Sequence, residues 1–263
     1  MHRRSWLIWK MGNKPIKIII SPAKKMKVDS DSLAYQELPV FLSQTEQILL
    51  KLQQMSYDDL KKLWKCNDKI AALNTERLDT MGLRKNLTPA ILAYEGIQYQ
   101  YMAPGVFTEE AYDYIQKHLR ILSGFYGILR PFDGVVPYRL EMQAKLSVDG
   151  TKDLYAFWGD TLADHLAADT DCIINLASKE YSLCISKYLP KTVRFITCIF
   201  GEWKDGKIIE KGTICKMARG EMVRFLAENQ ITEPEGIKAF SQLNYRYSAK
   251  HSTEDTFVFL LSK

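Results

Sequence analysis

The run IKIIIS at 16–21 constrains the fold most, because it is β-branched, of strand length and ended by Pro22. Consecutive apolar positions suit a strand covered on both faces rather than one with a wet side. CIINL at 172–176 and TFVFLLS at 256–262 read the same way. Helical spacing fills much of the rest: FLSQTEQILLKLQQM, SYDDLKKLWK and DKIAALNTERL within 41–78, a helix from Thr108 to Leu122, DLYAFWGDTLADHLAA at 153–168, Lys216 to Asn229, and Glu233 to Phe240. Ser56 ahead of Asp58 and Asp59 is an N-cap with acid in the first turn. AILAYEGIQYQY at 90–101 reads as strand-like. Around Lys204-Asp205-Gly206-Lys207 the pattern alternates, and the Asp-Gly pair marks a hairpin. Strands interleaved with helices, plus antiparallel pairing, predict an α/β (mixed α+β) fold: a single domain with a mixed sheet, helices around it and a helical insertion.

At 263 residues and 46% hydrophobic content the chain can bury a large core. Lys and Arg number 36 against 31 Asp and Glu, so the placement of charge says more than its total. Five scattered cysteines with no CxxC spacing argue against a disulfide frame or a zinc site and point to a reducing cytoplasm. The four histidines stand far apart, so no metal site is expected, and neither GxGxxG nor GxxxxGK[ST] occurs, so no cofactor is assigned. The apolar runs are too short to span a membrane. Residues 1–15 read as an N-terminal extension ahead of a domain at 16–263.

Two regions carry chemistry. In HLRILSGFYGILRPFDGVVPYRLEM at 118–142, Arg120, Arg130 and Arg139 surround a turn made by Ser123, Gly124, Tyr126 and Gly127. The stretch SGFYGILRP reads as a fixed loop entering a strand, VVPYRLEM, so that its arginines converge on an anion. The alternative is internal pairing of Arg130 and Arg139 with Asp133 and Glu141. Ser21 and Lys24 follow the first strand, and Lys216 and Arg219 share a helix face with Arg224 nearby; these extend the same anion cleft. In DLKKLWKCNDKIAALNTERL at 59–78, an apolar helix, a turn at Lys65-Cys66-Asn67 and a second helix resemble a helix-hairpin-helix module, whose turn aims backbone N–H groups at a phosphate. Lys62, Lys65, Lys69 and Arg77 supply charge around the phosphate path, and Asn67 in the turn is expected to accept a positive φ. The other reading is an ordinary αα-hairpin with solvated lysines.

The segments IISPAK, NDKIAALNTERL, AILAYEGIQY, LRILSGFYGILRP, PYRLEM, DLYAFWG, INLASKEY and KMARGEMVRF, in this order from residue 19 to 225, closely resemble the YaaA family of bacterial peroxide stress resistance proteins. That resemblance implies a cytoplasmic protein that protects DNA during peroxide stress by limiting free intracellular iron, with a helix-hairpin-helix module at 56–80 beside a basic cleft. It carries over Lys69 and Arg77 and adds Asn74 to the DNA-binding set. DNA bound without sequence preference is the expected partner. A small anionic or nucleotide-like substrate is the alternative, with Glu141, Glu180, Tyr126 and Tyr155 available for acid–base or positioning work. Direct iron sequestration is the third and weakest reading, and the sequence does not specify an oligomeric state.

Overall fold

In the computed structural model, which describes residues 14–262, the expected buried runs become strands of one sheet. β1 (Lys17–Ile20) leads to the short β2 (Lys25–Met26). Three helices follow, α1 (Leu42–Gln53), α2 (Tyr57–Trp64) and α3 (Asp68–Asp79). Next come β3 (Thr88–Pro89), α4 (Ala90–Ala93), β4 (Tyr94–Glu95), α5 (Ile97–Met102) and α6 (Glu109–His118). The chain continues through β5 (Leu119–Ser123), β6 (Gly127–Leu129), β7 (Gly134–Val135), α7 (Leu154–Trp158), α8 (Thr161–Asp169), β8 (Cys172–Asn175) and α9 (Lys179–Ser186). It closes with β9 (Arg194–Lys204), β10 (Lys207–Ile209), α10 (Gly212–Glu228), β11 (Tyr245–Tyr247) and β12 (Thr256–Leu261).

The main sheet has the order β11-β12-β9-β8-β1-β5-β6, with β10 folded back on β9. From β12 to β5 every pairing is parallel, and the flanking strands β11 and β6 are antiparallel. The fold is therefore the mixed α/β class expected from the sequence. All four residues of β1 and of β8 are buried, as a strand covered on both faces requires. Leu60, Trp64 and Leu78 of the α2–α3 hairpin belong to the same hydrophobic core as the sheet, so the hairpin is seated on the body.

One topological feature positions the candidate site. From β1 the next strand of the main sheet is β5 on one side, whereas from β8 it is β9 on the other. Adjacent parallel strands whose connections diverge leave a crevice at their carboxyl ends, where α/β sheets characteristically receive ligands.

Several expected elements differ. The 90–101 stretch forms α4, β4 and α5 instead of a strand; Ala90–Ala93 are all buried, and a short apolar run does not declare its period. The helix expected from Thr108 to Leu122 stops at His118, because Leu119, Arg120 and Ile121 pair with β1. Gly159, at φ +50°, splits the expected 153–168 helix into α7 and α8. VVPYRLEM contributes only Val135 to a strand and otherwise runs as an irregular segment, and Pro234–Ala239 is a 3₁₀ helix. Residues 1–13 of the expected extension lie outside the described residues.

Candidate functional site

A cleft of about 490 Å³ opens at the switch point. Ser21 follows β1 and Ser178 follows β8; the Ser178 backbone N–H donates to Ser21 Oγ at 2.8 Å, and the two hydroxyl oxygens lie 3.2 Å apart. Tyr99 donates its hydroxyl to the Ser21 carbonyl at 3.0 Å, tying α5 to the same strand end. Gln98 enters from α5, Arg139 and Glu141 from the segment after β7, Glu180 from α9, and Lys216 and Arg219 from α10. Lys24 sits on the rim.

Two glycines make this assembly sterically feasible. A Cβ on Gly220 would lie 2.1 Å from the Gln98 carbonyl oxygen and 2.9 Å from the Met102 nitrogen, so α10 and α5 cross with their backbones in contact. That crossing sets Arg219 beside Gln98. A Cβ on Gly124 would lie 2.9 Å from both the Glu141 carbonyl carbon and the Leu140 oxygen. The tight turn thus seats the Arg139–Glu141 segment.

The cleft is charged but incompletely paired. Lys24 Nζ and Arg139 Nη2 each approach Glu141 Oε1 at 3.2 Å, yet neither contact has hydrogen-bond geometry, so both are ionic contacts only. Arg219 Nη2 lies 3.7 Å from Glu210 behind it. Burial raises the Glu180 carboxyl above the ordinary carboxylate range; the Gln143 N–H, which donates to it at 3.2 Å, opposes the rise, and Glu141 adds to it. Tyr155 donates to the Glu180 carbonyl at 2.8 Å rather than to its carboxylate. Three residues that line the cleft each keep a buried donor with no acceptor among the described residues, Gln98 Nε2, Arg139 Nε and Arg219 Nε, and Glu141 Oε1 is a buried acceptor without a donor. Buried polar groups are normally satisfied, so three such donors in one crevice are a strong local anomaly.

Of the residues expected in the anion cleft, Ser21, Lys24, Arg139, Lys216 and Arg219 line it. The others are scaffold, which corrects the expectation. Arg120 is buried and donates to the carbonyls of Gln116 and Leu119 at 3.0 and 2.7 Å, joining α6 to β5. Ser123 Oγ accepts from the N–H groups of Phe125 and Tyr126, and Tyr126 Oη accepts from Val136 N–H at 3.1 Å. Gly127 turns at φ +73° against Trp158 and Leu162. Gly124 seats the Leu140–Glu141 backbone, and its carbonyl accepts from Trp158 Nε1 at 3.1 Å. Arg130 pairs with Asp133 at 2.9 Å, and Arg139 makes its ionic contact with Glu141 at 3.2 Å, the internal pairing set out as an alternative; Glu37 is a further partner of Arg130. Burial still raises the Asp133 carboxyl to about 6 against that pairing. Arg224 pairs with Glu228 at 2.7 Å along α10.

The α2–α3 hairpin has a three-residue turn, but its geometry differs from the expectation. Lys65, not Asn67, takes the left-handed conformation at φ 47°. Asn67, at φ −77°, is the N-cap of α3 and accepts from Ile70 N–H at 3.0 Å. Asp68 in the first turn pairs with Lys61 at 2.7 Å, which places an anion where a phosphate would approach. Asn74, which is buried, donates to the Ile70 carbonyl within α3, and Arg77 donates to Asn74 and to the Met26 carbonyl, so Arg77 ties the hairpin to the body. Lys62, Lys65 and Lys69 are exposed. A hollow of about 340 Å³ lies between Lys62, Lys65 and Lys145 and shares Glu141 with the cleft.

Sequence reasoning passed over Gln98 and Ser178. Gln98 was hidden inside an apparent strand; a buried polar residue between Ile97 and Tyr99 was the available signal. Ser178 follows a buried strand as Ser21 does, and that repetition was legible.

Fold and crevice together define a mixed α/β protein with a basic cleft at the switch point of its sheet. Comparison with known families is decisive about which one: residues 16–251 match the model described as peroxide stress protein YaaA, and the chain belongs to that family. It is similar to a UPF0246 protein of Pediococcus pentosaceus, 55% identical over 245 residues that cover 93% of this chain and 98% of the relative. A UPF0246 protein of Lactiplantibacillus plantarum is 54% identical over 245 residues, covering 93% and 99%. Among the described residues no helix is long and apolar enough to cross a membrane.

Proposed function

We propose that the chain's part in peroxide stress is exercised through the switch-point cleft, which binds a small anionic ligand. The observation that carries this reading is that Gln98, Arg139 and Arg219 all line the cleft and each keeps a buried donor without an acceptor among the described residues. Holding such donors away from water without partners costs about 1–3 kcal/mol each, a cost that a ligand would reverse. Glu141 and Glu180 stand in the same cleft for proton transfer, so an enzyme on a small anionic or nucleotide-like substrate is the form this reading favours. Any effect on free iron is then a consequence of the ligand's chemistry. Calorimetric titration with phosphate, sulfate, small carboxylates and nucleoside monophosphates tests the reading. Binding that Arg219→Gln weakens by about 10-fold or more supports it; no binding by any of them at millimolar concentration overturns it.

DNA is the second reading, favoured by the exposed Lys62, Lys65 and Lys69 on the hairpin and by the lysine-lined hollow that adjoins the cleft. Contacts of this kind go to backbone phosphates and carry no base information. Fluorescence anisotropy with single-stranded, duplex and bulged DNA should then show affinity that falls steeply with salt and a flatter slope for the triple alanine variant. Unchanged affinity in that variant removes the hairpin from DNA binding.

A further inference from the structure

Resting on the cleft reading above, we infer that the ligand is a nucleoside monophosphate, with its phosphate among Arg139, Lys216 and Arg219 and its base read by Gln98.

The charge of the lining sets the size of the anion. Five cations, Lys24, Lys25, Arg139, Lys216 and Arg219, stand among four carboxylates, Glu95, Glu141, Glu180 and, behind Arg219, Glu210, an excess of one. So small an excess suits a single phosphate monoester rather than a polyanion. A polyphosphate or a continuous nucleic-acid backbone would bring further phosphates against Glu141 and Glu180 inside the crevice. Both arginines line the cleft, each held at one end by a carboxylate, Glu141 or Glu210, and each keeps a buried Nε–H without an acceptor among the described residues. Anchored guanidinium groups lose little freedom on binding a phosphate. Lys216 is exposed and adds charge without a fixed partner.

Gln98 points to the second half of the ligand. It is only 7% exposed, and its Nε2 donor has no acceptor among the described residues. A neutral amide offers a phosphate far less than the neighbouring cations do, whereas it matches a neutral carbonyl or ring nitrogen, the groups on the edge of a nucleobase. Tyr99, Tyr138, Tyr181, Pro22 and Ile97 supply flat and apolar walls for such a body. A cavity of about 490 Å³ falls in the usual range for a small-ligand site.

The test is isothermal titration of the full chain with AMP, GMP, CMP and UMP, the matching nucleosides, and inorganic phosphate. The expected result is one monophosphate that binds at least about 10-fold more tightly than either its nucleoside or inorganic phosphate, since both halves make charged or buried hydrogen bonds. Lys216→Ala, at an exposed site that does not endanger folding, should weaken the monophosphate about 10-fold and leave the nucleoside unchanged. Gln98→Leu should reduce the monophosphate to the affinity of inorganic phosphate. Equal affinity for inorganic phosphate and all four monophosphates, or no effect of Gln98→Leu, overturns the inference. Binding of phosphate, sulfate or a carboxylate without any nucleotide also overturns it and leaves the cleft reading standing; binding of none overturns both.

Discussion

Gly220→Ala tests the physical argument for how the cleft is assembled. In an exposed helix the change should stabilise, because alanine is favoured over glycine by about 0.8–1 kcal/mol. At position 220 the new Cβ would sit 2.1 Å from the Gln98 carbonyl oxygen and 2.9 Å from the Met102 nitrogen. Both struck atoms are backbone, so no side-chain rotation relieves the overlap. α5 and α10 must move apart by about 1 Å, and overpacking of this kind costs about 1–3 kcal/mol or somewhat more. Taking the upper figure against the propensity gain leaves a net loss of about 2 kcal/mol, or about 4–8 °C in Tm for a chain of this size. Gly212→Ala in the same helix is the control: nothing lies within 4 Å of its Cβ, so only propensity acts and Tm should hold or rise slightly. Differential scanning calorimetry of the two variants decides the matter. A Gly220→Ala protein as stable as the parent would refute the close crossing, and with it the reason why Arg219 stands beside Gln98.

Three further outcomes follow from local chemistry. Lys65→Gly should raise stability by about 0.5–1 kcal/mol, because Lys65 holds φ 47° at the end of α2, where glycine is unstrained; an unchanged urea midpoint would count against that conformation. Lys17 is 4% exposed, and burial, with Arg120 adding to it, lowers its ammonium from 10.5 to about 8. A depressed folded value means stability rises with pH between 8 and 10.5, so Lys17→Met should lose ground relative to the parent across that window; a flat difference in urea midpoints refutes the desolvation. Sulfate binding should strengthen as pH falls through the raised Glu180 pKa, since protonation removes a negative charge from the cleft while sulfate stays dianionic. Glu180→Gln should abolish that dependence; calorimetry between about pH 5 and 8, with the slope persisting in the variant, would assign it to another group.

What the sequence determined by itself is what neighbours along the chain decide. β1, β8 and β12 form where β-branched and aromatic residues run consecutively; coverage on both faces buries all of β1 and β8 and the Phe257–Phe259 centre of β12. Ser56 and Thr108 cap α2 and α6 through hydrogen bonds to residues three positions on, and Asp205-Gly206 turns the β9–β10 hairpin with both residues at positive φ. The family, too, was legible in segments read in order. Tertiary structure decided which cations are free to act. Arg130 and Arg139 have similar surroundings in sequence, each with an acid two or three residues on. Glu37 folds back onto Arg130 and completes it, whereas Arg139, in ionic contact with Glu141, lines the crevice with its buried Nε unpaired among the described residues. Ser21 and Ser178 meet across 157 residues of chain, and Gln98 becomes a cleft donor only because Gly220 lets α10 touch α5. A guanidinium or an amide serves equally as a strut or as a ligand contact. Which role it takes depends on whether an acceptor arrives from elsewhere in the fold, and local spacing does not encode that arrival.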